Sequence, residues 1–127
     1  MKFGIFYELS TPRPFGRAVE WAVYHRALEQ CRVADALGFD HVWAVEHHFL
    51  EEYSHCSAPE VFLSAVAAQT QRIRVGHGAV VCVPEMNPPI RVAERAAALD
   101  IISNGRFEFG TARSSTEPVI PDGYAAA

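Results

Sequence analysis

Val42-Trp43-Ala44-Val45-Glu46-His47-His48 is an apolar, β-prone run that ends in a carboxylate and two imidazoles. Packing alone explains that ending poorly. A glutamate is almost never fully buried without a partner, and histidine exchanges its proton near neutral pH. In sheets of parallel strands, ligands bind at the carboxyl ends of the strands. The stretch is therefore expected to form a buried strand over His41–Val45, with Glu46-His47-His48 marking a site at its end.

Outward from this stretch, strand and helix alternate. Lys2–Glu8 reads as a short buried strand and Leu9–Arg17 as a loop. From Ala18 to Leu37 the residues Trp21, Tyr24, Leu28, Cys31 and Ala34 recur at helical spacing, and Gly38 stands where a helix C′ glycine belongs. Ser57-Ala58-Pro59-Glu60 reads as an N-cap, a first-turn proline and an early acid for a helix over Pro59–Thr70. Arg72–Val83 is expected to be one long strand, irregular or closely approached near Gly76 and Gly78. A third helix runs from Asn87-Pro88-Pro89 to about Ile102, and Arg106–Gly110 is a fourth strand. Residues 111–116 read as a loop. Trp21, Trp43, Phe62 and Phe109 are expected in the core.

The order βαβαβαβ implies an α/β fold with a parallel sheet and crossover helices. An open doubly wound sheet would carry a glycine-rich phosphate loop after its first strand, and Glu8-Leu9-Ser10-Thr11-Pro12 has none. A (β/α)8 barrel accepts the order but takes about 250 residues. Four strands in 127 residues amount to a half-barrel, expected over residues 1–116 with an irregular tail at 117–127.

The formal net charge of -4 offers no basic footprint for nucleic acid. No apolar run approaches the 18–20 residues that span a bilayer, and Glu8 with Pro12-Arg13-Pro14 interrupts the first one too early for a signal peptide. Cys31, Cys56 and Cys82 are odd in number and far apart, which suits reduced thiols in the cytoplasm.

The four strand ends bring Tyr7/Glu8, Glu46/His47/His48, His77/Gly78/Ala79 and Thr111/Ala112/Arg113 to one rim. Acid, imidazole, open backbone and arginine would suit a planar anionic ligand, with Arg113 as a phosphate partner. A metal is not expected. In a regular strand His47 and His48 point to opposite faces, and no paired-ligand spacing is present. By itself His47 fits a hydrogen-bonded core histidine; with Glu46 beside it and Arg113 on the same rim, a functional role is favoured. His77 reads as a packing histidine, and Glu8 as either a rim acid or a loop anchor.

Phe3-Gly4-Ile5-Phe6, Ala36-Leu37-Gly38-Phe39-Asp40, Val42–Phe49, Ile73-Arg74-Val75-Gly76, Asn87–Glu94 and Ser103-Asn104-Gly105-Arg106-Phe107-Glu108-Phe109-Gly110 together resemble the bacterial luciferase-like, flavin-dependent monooxygenases. The likeness runs in order from about Lys2 to Thr116. It implies a (β/α)8 barrel that binds reduced FMN, supplied by a separate flavin reductase, and uses O2 to oxygenate an organic substrate such as a long-chain aldehyde. It places the family's catalytic histidine at His47, as an acid/base group. It also implies cofactor contacts at Glu46, at Gly78-Ala79, where the family often has a non-proline cis peptide, and at Arg113 for the flavin phosphate. The family's remaining strands are not in this sequence. The alternative is accordingly a non-catalytic half-barrel that binds flavin or serves only as a structural oligomer. Exposed sheet edges and an open apolar face favour homo-oligomers.

Overall fold

The computed structural model describes residues 1–113; Ser114–Thr116 of the expected domain and the expected tail at 117–127 lie outside them. Along the chain run β1 (Gly4–Tyr7), α1 (Arg17–Leu37), β2 (His41–Ala44), α2 (Pro59–Gln69), β3 (Arg74–His77), β4 (Val80–Val81), α3 (Pro89–Ser103), β5 (Phe107–Glu108) and β6 (Thr111–Ala112). The strands β1-β2-β3-β5 form one parallel sheet in that order, as the alternating pattern implies.

The register aligns Phe6, Trp43 and Gly76 across three strands, and Tyr7, Ala44 and His77 one step on. Period-two alternation then separates two faces. Ile5, Tyr7, Val42, Ala44, Val75 and Phe107 join Phe62, Leu63, Val66, Cys31 and Leu99 of the helices in the core. Phe6 lies on the other face and is 57% exposed. There the Trp43 indole lies over Gly76, where a Cβ would overlap the ring.

Helix ends follow the local chemistry. Gly38 is left-handed (φ 85°) and closes α1 with Gly38 N–H to Asp35 O and Phe39 N–H to Ala34 O, a Schellman arrangement. Asp35 itself accepts from the N–H groups of Gln71, Arg72 and Ile73 at 2.7–2.9 Å. This carboxylate staples the end of α1 to the turn that enters β3. Ser57 makes no capping bond, contrary to the expected N-cap; Ala58 occupies that place and Pro59 opens α2.

The expected third strand does not run unbroken to Val83. β3 donates its last rung from Gly78 N–H to Ala44 O (2.8 Å). The Gly78-Ala79 peptide is cis, and β4 then pairs with β6 as a separate two-stranded sheet, Val80 with Thr111 and Val81 with Ala112. Thr111-Ala112, expected as loop, is thus a strand. Gly110 permits the close passage, because a Cβ there would overlap the His77 carbonyl oxygen.

Two expected core residues are exposed, Trp21 at 60% and Phe109 at 51%. The buried face of α1 centres on Ala27, Cys31 and Ala34. Trp21 lies at its margin and stacks on His25 one turn later, centroids 4.1 Å apart.

Candidate functional site

β2 ends at Ala44, so Glu46-His47-His48 sits in the loop beyond it and not on a regular strand. The alternation argument against shared chelation therefore does not apply, because its premise of regular strand geometry fails. The side chains diverge for a different reason: each meets its own carboxylate. No group of three or more metal-type ligands gathers among the described residues.

Glu46 is buried and turns inward. Its Oε1 accepts from His48 Nε2 at 2.9 Å and from Asn87 Nδ2 at 2.7 Å, and its Oε2 accepts from Val81 N–H at 2.8 Å. Burial raises the carboxyl's pKa, but these hydrogen bonds and the nearby His48 outweigh it and hold the group below the ordinary carboxylate range. Asn87 also donates to Val81 O, while its Oδ1 accepts from Arg95, which is paired in turn with Glu60 of α2 at 2.7 Å. A continuous polar chain thus links α2, α3, the loop before α3, the end of β2 and β4.

His47 turns the other way. Its Nε2 lies 3.5 Å from Glu8 Oε2 at the end of β1, and its ring meets Tyr53 edge-on at 5.6 Å. Adjacent strands account for this meeting, since Tyr7 and Ala44 are register partners. Beside the histidines opens a cleft of about 670 Å³, lined in part by Phe15, Tyr24, Phe49 and His55. His55 is fixed there by Glu20 Oε1 at 2.9 Å and Glu51 O at 2.6 Å.

His77 points into the core between Phe107 and Phe109. It is 3% exposed, and neither ring nitrogen has a hydrogen-bond partner. Burial lowers its pKa below the usual value, so the ring is neutral near pH 7. Cys56, fully buried beneath the loop, is pushed up to about 12, first by burial and then by Glu8, Glu46 and Glu60. It is a thiol, not a nucleophile.

The structure brings Glu46, His48 and β4 together, and it sets Gly78-Ala79 against the end of β2 through the Gly78–Ala44 bond. Arg113 follows directly on β6, is exposed, and stands one residue past the rung Val81–Ala112. Trp43 and Phe6 bound Gly78 on the open face, with Phe6 Cε2 only 3.2 Å from where a Cβ would stand. A flat aromatic surface against bare backbone fits a planar ring system.

Asn87, Arg95, Glu60 and Tyr53 were not legible as site residues. Asn87 reads as a helix start, and its partner Glu46 is 41 positions away. Glu8 carried a usable signal: a carboxylate at the end of the strand that pairs with the His47 strand.

The sequence model of the family described as luciferase-like monooxygenase matches residues 1–126. The oxygenase component of the flavin-dependent trigonelline monooxygenase of Acinetobacter baylyi is 35% identical over 117 residues, covering 91% of this chain and 31% of that protein. An alkanal monooxygenase alpha chain of Photorhabdus luminescens is 35% identical over 113 residues, 89% of this chain and 30% of that one. Among solved structures, monooxygenase RslO1 from Streptomyces bottropensis superposes with a TM-score of 0.79 at 36% identity, covering 99% of this chain and 36% of that one. The oxygenating constituent of 3,6-diketocamphane monooxygenase of Pseudomonas putida, solved with FMN, also gives a TM-score of 0.79, at 21% identity, covering 91% of this chain and 30% of that one. At that identity the likeness concerns the fold. The chain spans about a third of the length of these relatives. With its parallel sheet and crossover helices forming part of a barrel, the chain belongs to the luciferase-like monooxygenase family.

Proposed function

We propose that this chain carries the flavin-facing rim of an FMN-dependent monooxygenase that uses O2 to oxygenate a small organic substrate. The observation that carries the reading is the placement of His47, beside Glu8 and in the lining of the cleft, beyond the carboxyl end of β2 in the parallel sheet. Reduced FMN, delivered in the cytoplasm by a separate reductase, supplies the electrons and the activation of O2. The residues do the rest. Trp43 and Phe6 offer the flat surface, and Gly78 beside them adds no side chain of its own. Arg113 supplies a planar cation for the phosphate. Glu46 fixes β4 and His48 from below, so its contribution is to position the rim. His47 moves the proton that oxygen transfer requires. A long-chain aldehyde is one substrate that suits the apolar parts of the cleft.

A second reading is a flavin-binding or structural oligomer without turnover. It is favoured by the four-stranded sheet, whose face opposite the helices leaves Phe6 open to water.

Titration with FMN and reduced FMN, together with the mass in solution, tests both. Absence of binding at millimolar flavin rejects the first reading; binding with oxygenation upholds it, and binding without oxygenation favours the second. His47→Ala should leave flavin affinity within about twofold, a change below roughly 0.5 kcal/mol, and suppress oxygenation. An equal loss of binding would make His47 a structural residue.

A further inference from the structure

We propose that Glu8 is the positioning residue of His47, clamped by Tyr53, and that it keeps the imidazole's Nε2 protonated and turned toward β1. The inference rests on the acid/base reading of His47 and adds the group that would orient it.

The geometry is specific. Glu8 Oε2 is buried, has no hydrogen-bond partner and lies 3.5 Å from His47 Nε2. That separation is long for a finished hydrogen bond, and such contacts in ligand-free sites commonly tighten when the cofactor or substrate arrives. The other oxygen is already committed, since Tyr53 OH donates to Oε1 at 3.3 Å while the Tyr53 ring packs edge-on against His47. A carboxylate with one oxygen tethered and the other bare, 3.5 Å from an imidazole nitrogen, would accept from that nitrogen once the contact tightens. A proton held on Nε2 leaves Nδ1 as the nitrogen that takes up and returns a proton, and His47 is one of the residues lining the cleft.

The clamp is built into the backbone as well. Segments 8–11 and 52–55 are laced by Thr11 N–H to Glu52 O, Ser10 Oγ to Tyr53 O, Ser54 Oγ to Glu8 O and His55 N–H to Leu9 O, at 2.6–3.2 Å. Leu9, directly after Glu8, is left-handed at φ 53°. A non-glycine residue holds that conformation only where its surroundings impose it. His47 N–H donates to Cys56 O at 2.9 Å, so the histidine's backbone is tied to the same loop as Tyr53.

The test reads the ring directly by nitrogen-15 NMR on the full chain, with the His47 signals assigned by their loss in His47→Gln. In the parent protein the His47 Nε2 proton should be visible and slow to exchange with water. Glu8→Gln should accelerate that exchange at least tenfold and shift the tautomer balance, with the backbone spectrum otherwise retained. Tyr53→Phe, at a 58% exposed residue, should give the same change to a smaller degree, and it keeps the test available if Glu8→Gln misfolds. Unchanged ring exchange and tautomer in both variants would overturn the proposal. The readout needs neither flavin nor turnover. An altered ring with undiminished oxygenation would therefore uphold the tether and reject the acid/base role of His47.

Discussion

Asn87 Nδ2 donates to Glu46 Oε1 at 2.7 Å, with its own carbonyl oxygen held by Arg95. The guanidinium donates only, so it decides which way the amide faces and gives Glu46 a donor and never an acceptor. Asn87→Asp puts a second carboxylate against Glu46 in a buried place. We expect a loss of about 2 kcal/mol at pH 7 in a denaturant titration. Part of that loss should return on acidification toward pH 5, because one of two adjacent carboxylates then takes a proton. A deficit that grew on acidification would contradict this coupling.

Asp35 joins α1 to the entry of β3 through three backbone donors, and its removal leaves Gln71, Arg72 and Ile73 N–H groups without that acceptor. Asp35→Ala should lower stability by about 3 kcal/mol. Burial raises this carboxyl's pKa, yet the three N–H groups and the Arg72 charge outweigh it, so it is depressed in the folded protein. Its contribution is therefore complete above the unfolded value near pH 4 and is lost as pH falls through the lowered folded value. The parent and Asp35→Ala stability curves should converge only in that acid range.

His77 makes the opposite case. Its pKa is lowered by burial, so the unfolded chain binds the proton first and stability declines as pH drops below about 6.5. His77→Leu removes two unpartnered nitrogens from an aromatic surround. It should be neutral or stabilising by about 1 kcal/mol at pH 7 and should flatten the melting temperature between pH 5 and 7. A large loss at pH 7 would show that the imidazole makes an interaction its packing does not reveal.

Arg113 offers its charge past the end of β6. Arg113→Ala should weaken FMN by tenfold or more, about 1.4 kcal/mol, and riboflavin by less than twofold, read by fluorescence quenching of each flavin. Equal weakening of both would reject a phosphate contact.

The sequence displayed the fold through features that repeat. The helical spacing of Tyr24, Leu28, Cys31 and Ala34, the C′ glycine at 38 and the apolar run before Glu46 each report on neighbours a few residues away. The break after His77 was visible only as two glycines. Where Val80 goes depends on Gly110, which lies in the connection between β5 and β6 and admits the chain only because it lacks a Cβ. The site divides in the same way. Glu46 and His47 announce themselves as polar ends of an apolar strand. Asn87 and Arg95 do not, because an asparagine before two prolines and an arginine in an amphipathic helix are ordinary residues until a buried carboxylate is set beside them.

A sheet of parallel strands has two unlike edges, here the outer sides of β1 and β5. A second copy that continues it with parallel strands would lay its β1 along this β5, and a ring that closes would bring its β5 back to this β1. All strands of such a ring would point the same way, so both copies of His47 would open onto one mouth. Closed in this manner, the two copies of the proposed site would face each other across a shared vestibule, and an occupant of one would form part of the wall of the other.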